Sequence, residues 1–116
     1  MSVTILCKDL RLVPAERRRI QERVRLALSR FAPLVRSMSI TVGDENGHRR
    51  GVDKSCRLVV RLHAGTVVVN ERAEALMAAV SQAAERAARA VARLHHRVVD
   101  AHPSNTLRHE ESWSLA

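Results

Sequence analysis

"CRLVVRLHAGTVVV", residues 56–69, decides the fold. Cys56, Leu58, Val60 and Leu62 alternate with Arg57, Val59, Arg61 and His63. That period of two belongs to a strand with one buried face. Ala64 and Gly65 then form a tight turn, and TVVV, 66–69, returns as a second strand. The stretch predicts a β-hairpin. Beyond it the spacing changes. Asn70 is placed to cap a helix, and Leu76, Val80, Ala83, Ala87, Val91, Leu94 and Val98 recur on one helical face.

Upstream, RSMSITV, 36–42, alternates in the same way, with Met38, Ile40 and Val42 on one side and Ser37, Ser39 and Thr41 on the other. GDENGHRRGVD, 43–53, is rich in Gly, Asp and Asn and reads as a loop. At the start of the chain, VTILC, 3–7, suggests a first strand. Pro14 suits the first turn of a helix, and Glu16 sits where the helix dipole favours an acid. Ile20, Val24, Ala27, Leu28 and Phe31 mark that helix's buried stripe, which Pro33 ends near Ala32. The predicted fold is therefore α+β in the order β-α-β-β-β-α. Both helices lie on one face of a four-stranded sheet. Residues 1–99 form the domain, and 100–116 are expected to be a loosely ordered tail.

The chain has 116 residues, a net charge of +8 and a sequence pI near 11.3. That balance favours a polyanionic partner, nucleic acid above all. No apolar run approaches the roughly 20 residues of a membrane span. The N-terminus carries no secretory pattern, so a cytoplasmic protein is expected. Aromatic side chains are almost missing, Phe31 and Trp113 being the only ones besides histidine. RNA binding would then rest on phosphates, sugars and shape, since single-strand binders commonly stack bases on aromatic rings. Cys7 and Cys56 have no metal-type spacing and read as buried free thiols.

"AAERAARAVARLHHRVV", 83–99, carries Arg86, Arg89, Arg93 and Arg97. At about 100° per residue these fall within a sector of roughly 80°, expected opposite the apolar stripe, and the ladder extends about 16 Å. Only Glu85 competes in this half of the helix, so the arginine face reads as almost unpaired. The first helix repeats the theme with Arg18, Arg19, Arg23, Arg25 and Arg30 away from its stripe, while Arg17 lies close to it and can snorkel at the edge. Arginine grips a phosphate with two parallel hydrogen bonds. The nine residues of the two ladders are the candidate RNA-binding set. Arg57, Arg61 and His63 on the bare sheet face are weaker candidates, and His96 could add a phosphate contact.

No catalytic constellation is present. His95, His96, His63, Asp44, Glu45 and Asp53 form no acid–base pair, nucleophile–base set or phosphate loop. Cys56 and His63 lie an odd number of residues apart on one strand, which sets them on opposite faces and argues against a shared metal. No cofactor and no small-molecule substrate is implied.

Three stretches, "GDENGHRRGVDKSCRLVVRL" (43–62), "LMAAVSQAAERAARAVAR" (76–93) and, more loosely, "VTILCKDLRLVPAERRRIQERVRLALSRF" (3–31), resemble the ribosome hibernation-promoting factors and ribosome-associated inhibitor A proteins, the sigma-54 modulation / S30EA-like family. The likeness spans about residues 3–98. It implies the β-α-β-β-β-α fold. It also implies binding to the small (30S) ribosomal subunit and its rRNA, in the channel shared by messenger RNA and the A- and P-site transfer RNAs. Occupancy there blocks initiation and protects idle ribosomes under stress. In this chain the contacts to rRNA fall on the two arginine ladders. Longer family members add a C-terminal domain that pairs ribosomes, which is not expected within these 116 residues. Two other partners fit the charge: double-stranded RNA in general, or an acidic protein docked by a regulatory domain.

Overall fold

The computed structural model describes residues 2–44 and 54–100. Its elements are β1 (Val3–Lys8), α1 (Pro14–Leu28), a 3-10 turn (Ser29–Leu34), β2 (Val35–Asp44), β3 (Lys54–Leu62), β4 (Gly65–Ala73) and α2 (Leu76–Asp100). The sheet order is β1-β2-β3-β4. β1 and β2 pair in parallel, with Val3 opposite Met38 and Cys7 opposite Val42. A parallel pair needs a crossover connection, which α1 supplies. β2–β3 and β3–β4 are antiparallel. The architecture is the expected α+β one, with both helices packed against a four-stranded sheet.

Each helix begins and ends for a local reason. Pro14 is the first residue of α1, and the Glu16 carboxylate accepts the backbone N–H of Val13 at 3.0 Å. That bond satisfies a donor which the helix leaves free at its start. The expected stop near Ala32 is a two-stage ending. The α-helix closes at Leu28 and tightens into the 3-10 turn that contains Pro33. Asp9, just past β1, takes a left-handed backbone (φ 57°) that turns the chain toward α1.

The core lies between the helices and the sheet. Ile20, Val24 and Leu28 of α1 meet Val80, Ala83, Ala87 and Val91 of α2 over Ile40, Val42, Leu58 and Val60, all fully buried or nearly so. Each large aliphatic chain buried in this way contributes about 1.5–3 kcal/mol. Ala79 and Ala84 are fully buried as well. A run of alanines on its inner face lets α2 lie close to β3 and β4. Leu76 and Leu94 are half-buried at the two ends of this stripe, and the side chain of Val98 lies outside the described residues.

Four expectations are corrected. Asn70 caps no helix: β4 runs on through Asn70, Glu71 and Arg72 to Ala73, paired with β3 from Leu62 back to Lys54. The polar sequence NERA hides the strand, which the ladder of its neighbour sustains. Gly43 and Asp44 belong to β2 rather than to a loop, and the rest of that loop, 45–53, lies outside the described residues. Asp100 closes α2, and the remainder of the expected tail, 101–116, is likewise outside them. Cys7 is half-buried, whereas Cys56 is buried as expected.

Candidate nucleic-acid interface

The fold divides the nine arginines into groups. On α2, the row Arg86, Arg89, Arg93 and Arg97 lies about 120° round from the centre of the buried stripe, not opposite it. It therefore sits over the β4 edge of the sheet. Arg86 reaches down to the backbone oxygen of Asn70 at 3.2 Å and to the carboxylate of Glu71. Arg93 and Arg97 line a groove of about 370 Å³ with Gly65, Thr66, Val67 and Val68 of β4. On α1, Arg23 lies at the seam between the helices. Its Nε donates to Ser81 Oγ at 3.2 Å and its guanidinium pairs with Glu85 at 3.0 Å. Arg18 and Arg25 lie about 150° round from Arg23, on the outer flank of α1.

The α2 row is thus not as free of acids as its own helix suggests. Glu71 has the same strand parity as Val67 and Val69, so it projects toward the helices and neutralises Arg86. Glu85 is spent on Arg23 of the neighbouring helix. The other candidates are open. Arg18, Arg19, Arg25, Arg89, Arg93 and Arg97 are exposed, and none has a hydrogen-bond or ion-pair partner among the described residues. Arg30 is exposed with its guanidinium 4.6 Å from the centre of the Phe31 ring, which fixes its direction. Leu26, 72% exposed, lies among the α1 arginines as an apolar point on a charged surface.

Arg17 sends its guanidinium to within 3.9 Å of Cys7 Sγ, in keeping with its place at the edge of the stripe. His95 is half-buried and His96 exposed; with Arg30, Phe31 and Pro33 they line a shallow cavity at the far end of α2. The Cys56 thiol is pushed up to about 12, first by burial and second by the charge of Glu71, which leaves it protonated and unreactive. Cys7 and Cys56 flank Val42 from two different strands and form no disulfide. Among the described residues no three histidine, cysteine or carboxylate side chains gather as a metal site. No described helix is long and apolar enough to cross a membrane.

Among the described residues, then, a helix pair lies on a four-stranded sheet and carries exposed arginine rows. Residues 3–99 match the family described as Sigma 54 modulation protein / S30EA ribosomal protein, and the chain belongs to that family. Its fold is similar to the crystal structure of the Thermus thermophilus Protein Y N-terminal domain (TM-score 0.66, 20% identity, covering 80% of this chain and 98% of that one). It is also similar to the structure of a ribosomal subunit interface protein from Coxiella burnetii (TM-score 0.65, 13% identity, covering 83% of this chain and 99% of that one). No curated protein sequence matches the chain.

Proposed function

We propose that this protein is a ribosome hibernation factor. It acts in the cytoplasm under stress and inhibits translation by occupying the messenger RNA and transfer RNA channel of the small (30S) subunit. The arginine faces of α1 and α2 hold it to rRNA. The observation that carries this reading is the row Arg89, Arg93 and Arg97, exposed and without acid partners among the described residues, on a chain of the S30EA family. The Coxiella protein of like fold, described as a subunit interface protein, supports the choice of partner.

The activity is occupancy, with no bond made or broken. Burial of the two apolar stripes fixes α1 against α2, so the arginines are anchored at set backbone positions and only their side chains have to be ordered on binding. Each phosphate neutralised releases counterions, and affinity falls by orders of magnitude between about 50 and 200 mM salt. The test is cosedimentation with small subunits on sucrose gradients. The Arg86→Ala, Arg89→Ala, Arg93→Ala triple variant should keep its fold and lose the subunit. A triple variant that still sediments with the subunit overturns the assignment. Loss of wild-type capture from a lysate after ribonuclease treatment separates RNA from an acidic protein as the partner.

A further inference from the structure

The face of the sheet turned away from the helices is uncovered among the described residues, and its chemistry differs from that of the helix side. The strands place Lys8, Arg57, Arg61 and Arg72 on it, together with the hydroxyls of Thr4, Ser37, Ser39 and Thr41. Strand parity sends both strand acids the other way: Glu71 goes to Arg86, and Asp44 pairs with Lys54 at 3.2 Å. No described strand residue puts a carboxylate on this face. Arg57 and Arg61 are exposed, and Arg57 bonds only Asn70 of the same face, at 3.4 Å.

The layout is specific. Lys8, Gly43, Ser55 and Arg72 form one row across the four strands, at the end of the sheet where Asp9, Asp44 and Glu71 line the same recess, so the free cations of the face are Arg57 and Arg61 on β3. Arg57 and Arg61 stand four residues apart along β3, about 13 Å. Between these cations the surface carries hydroxyls, the Asn70 amide and three apolar side chains, Leu6, Val59 and Val68. No aromatic ring projects from a described strand, so unstacked bases find no platform here. The face instead complements sugar and phosphate. The minor groove of A-form RNA is wide and shallow, displays 2′-hydroxyls, and is read by shape through hydroxyl and phosphate contacts.

We propose that the open sheet face is a second RNA surface, which seats the minor-groove side of an A-form RNA duplex. The protein then joins two RNA segments, one on the helix side and one on the sheet. The inference rests on the reading that the helix side binds RNA, and it adds a site which that reading does not need.

The test mixes the full chain with two short RNA hairpins, one carrying a donor dye and the other an acceptor, and measures energy transfer and stoichiometry. The wild type should bind two hairpins and give transfer. Arg57→Glu with Arg61→Glu should bind one hairpin, give no transfer and still cosediment with small subunits, more weakly. Arg89→Glu with Arg93→Glu should also lose transfer while keeping the sheet-side hairpin. The Arg57→Gln, Arg61→Gln pair serves if the glutamate pair fails to fold, and its salt slope should be shallower by about two. A wild type that binds a single hairpin, or an Arg57/Arg61 variant that still bridges two, overturns the proposal. So does a polyglutamate peptide that displaces the hairpin from the sheet face of the Arg89/Arg93 variant. A wild type that bridges hairpins but ignores small subunits refutes the ribosomal reading and leaves this one standing.

Discussion

The guanidinium of Arg23 on α1 and the carboxylate of Glu85 on α2 meet at 3.0 Å across the seam between the helices, with Ser81 as a second acceptor. A residue of the arginine ladder is thereby turned into a latch, and the acid that tempers the α2 ladder is spent on the other helix. Glu85 is well exposed, so the pair contributes less than about 1 kcal/mol to stability. Glu85→Gln should leave the melting temperature nearly unchanged and tighten RNA binding, because Arg23 gains a free charge. Thermal melts beside fluorescence anisotropy at one fixed salt concentration check both halves.

Two neighbours in the α2 row should differ in their worth to binding. Arg86 is held by Glu71 and the Asn70 carbonyl, whereas Arg89 has no such partner among the described residues. Arg89→Ala should weaken RNA binding more than Arg86→Ala does. Glu71→Gln should release Arg86 and raise affinity. Equal losses from the two single variants, read by the same anisotropy titration, would show that Glu71 does not hold Arg86 in solution.

Close approach of α2 to the sheet depends on small side chains. Ala83 and Ala87 are fully buried above the strands. Ala87→Leu should destabilise the fold by about 1–3 kcal/mol through overpacking, although it removes no charge. Urea denaturation should show a lower midpoint with an unchanged slope. An exposed control on the same helix, Gln82→Leu, should do little.

Burial of Cys56 ties stability to alkaline pH. Its thiol is pushed up from an ordinary 9.0 to about 12 by desolvation and then by Glu71. Below the ordinary value both states keep the proton. As pH rises past it, the unfolded chain loses the proton first, so unfolding is favoured progressively up to the folded value near 12. Cys56→Val should flatten that part of a stability–pH curve measured by urea denaturation. In the native wild type at neutral pH, iodoacetamide should modify Cys7 and spare Cys56.

Much of this was legible because periodicity reports burial. Met38, Ile40 and Val42, or Val80, Ala83 and Ala87, reveal their element and its inner face without any knowledge of what they pack against. Charge carries no such record. The acid that meets Arg86 lies 15 residues away on a strand, and the acid that meets Arg23 lies 62 residues away on another helix. The sequence of either helix alone contains neither pairing. The end of β4 was hidden for a related reason: Asn70, Glu71 and Arg72 are polar on both faces, one row meeting solvent and the other meeting arginine, so alternation of hydropathy stops while the strand continues.

β4 is an outer strand of the sheet, and Arg86, Arg93 and Arg97 stand along it. An unprotected edge invites a second molecule to add its own strand. Here a copy that approaches with its own β4 brings the same Arg93 and Arg97, and the two repel. Added salt relaxes that repulsion while it loosens the grip on nucleic acid. Ionic strength should therefore push the molecule in opposite directions at once, away from RNA and toward its own kind.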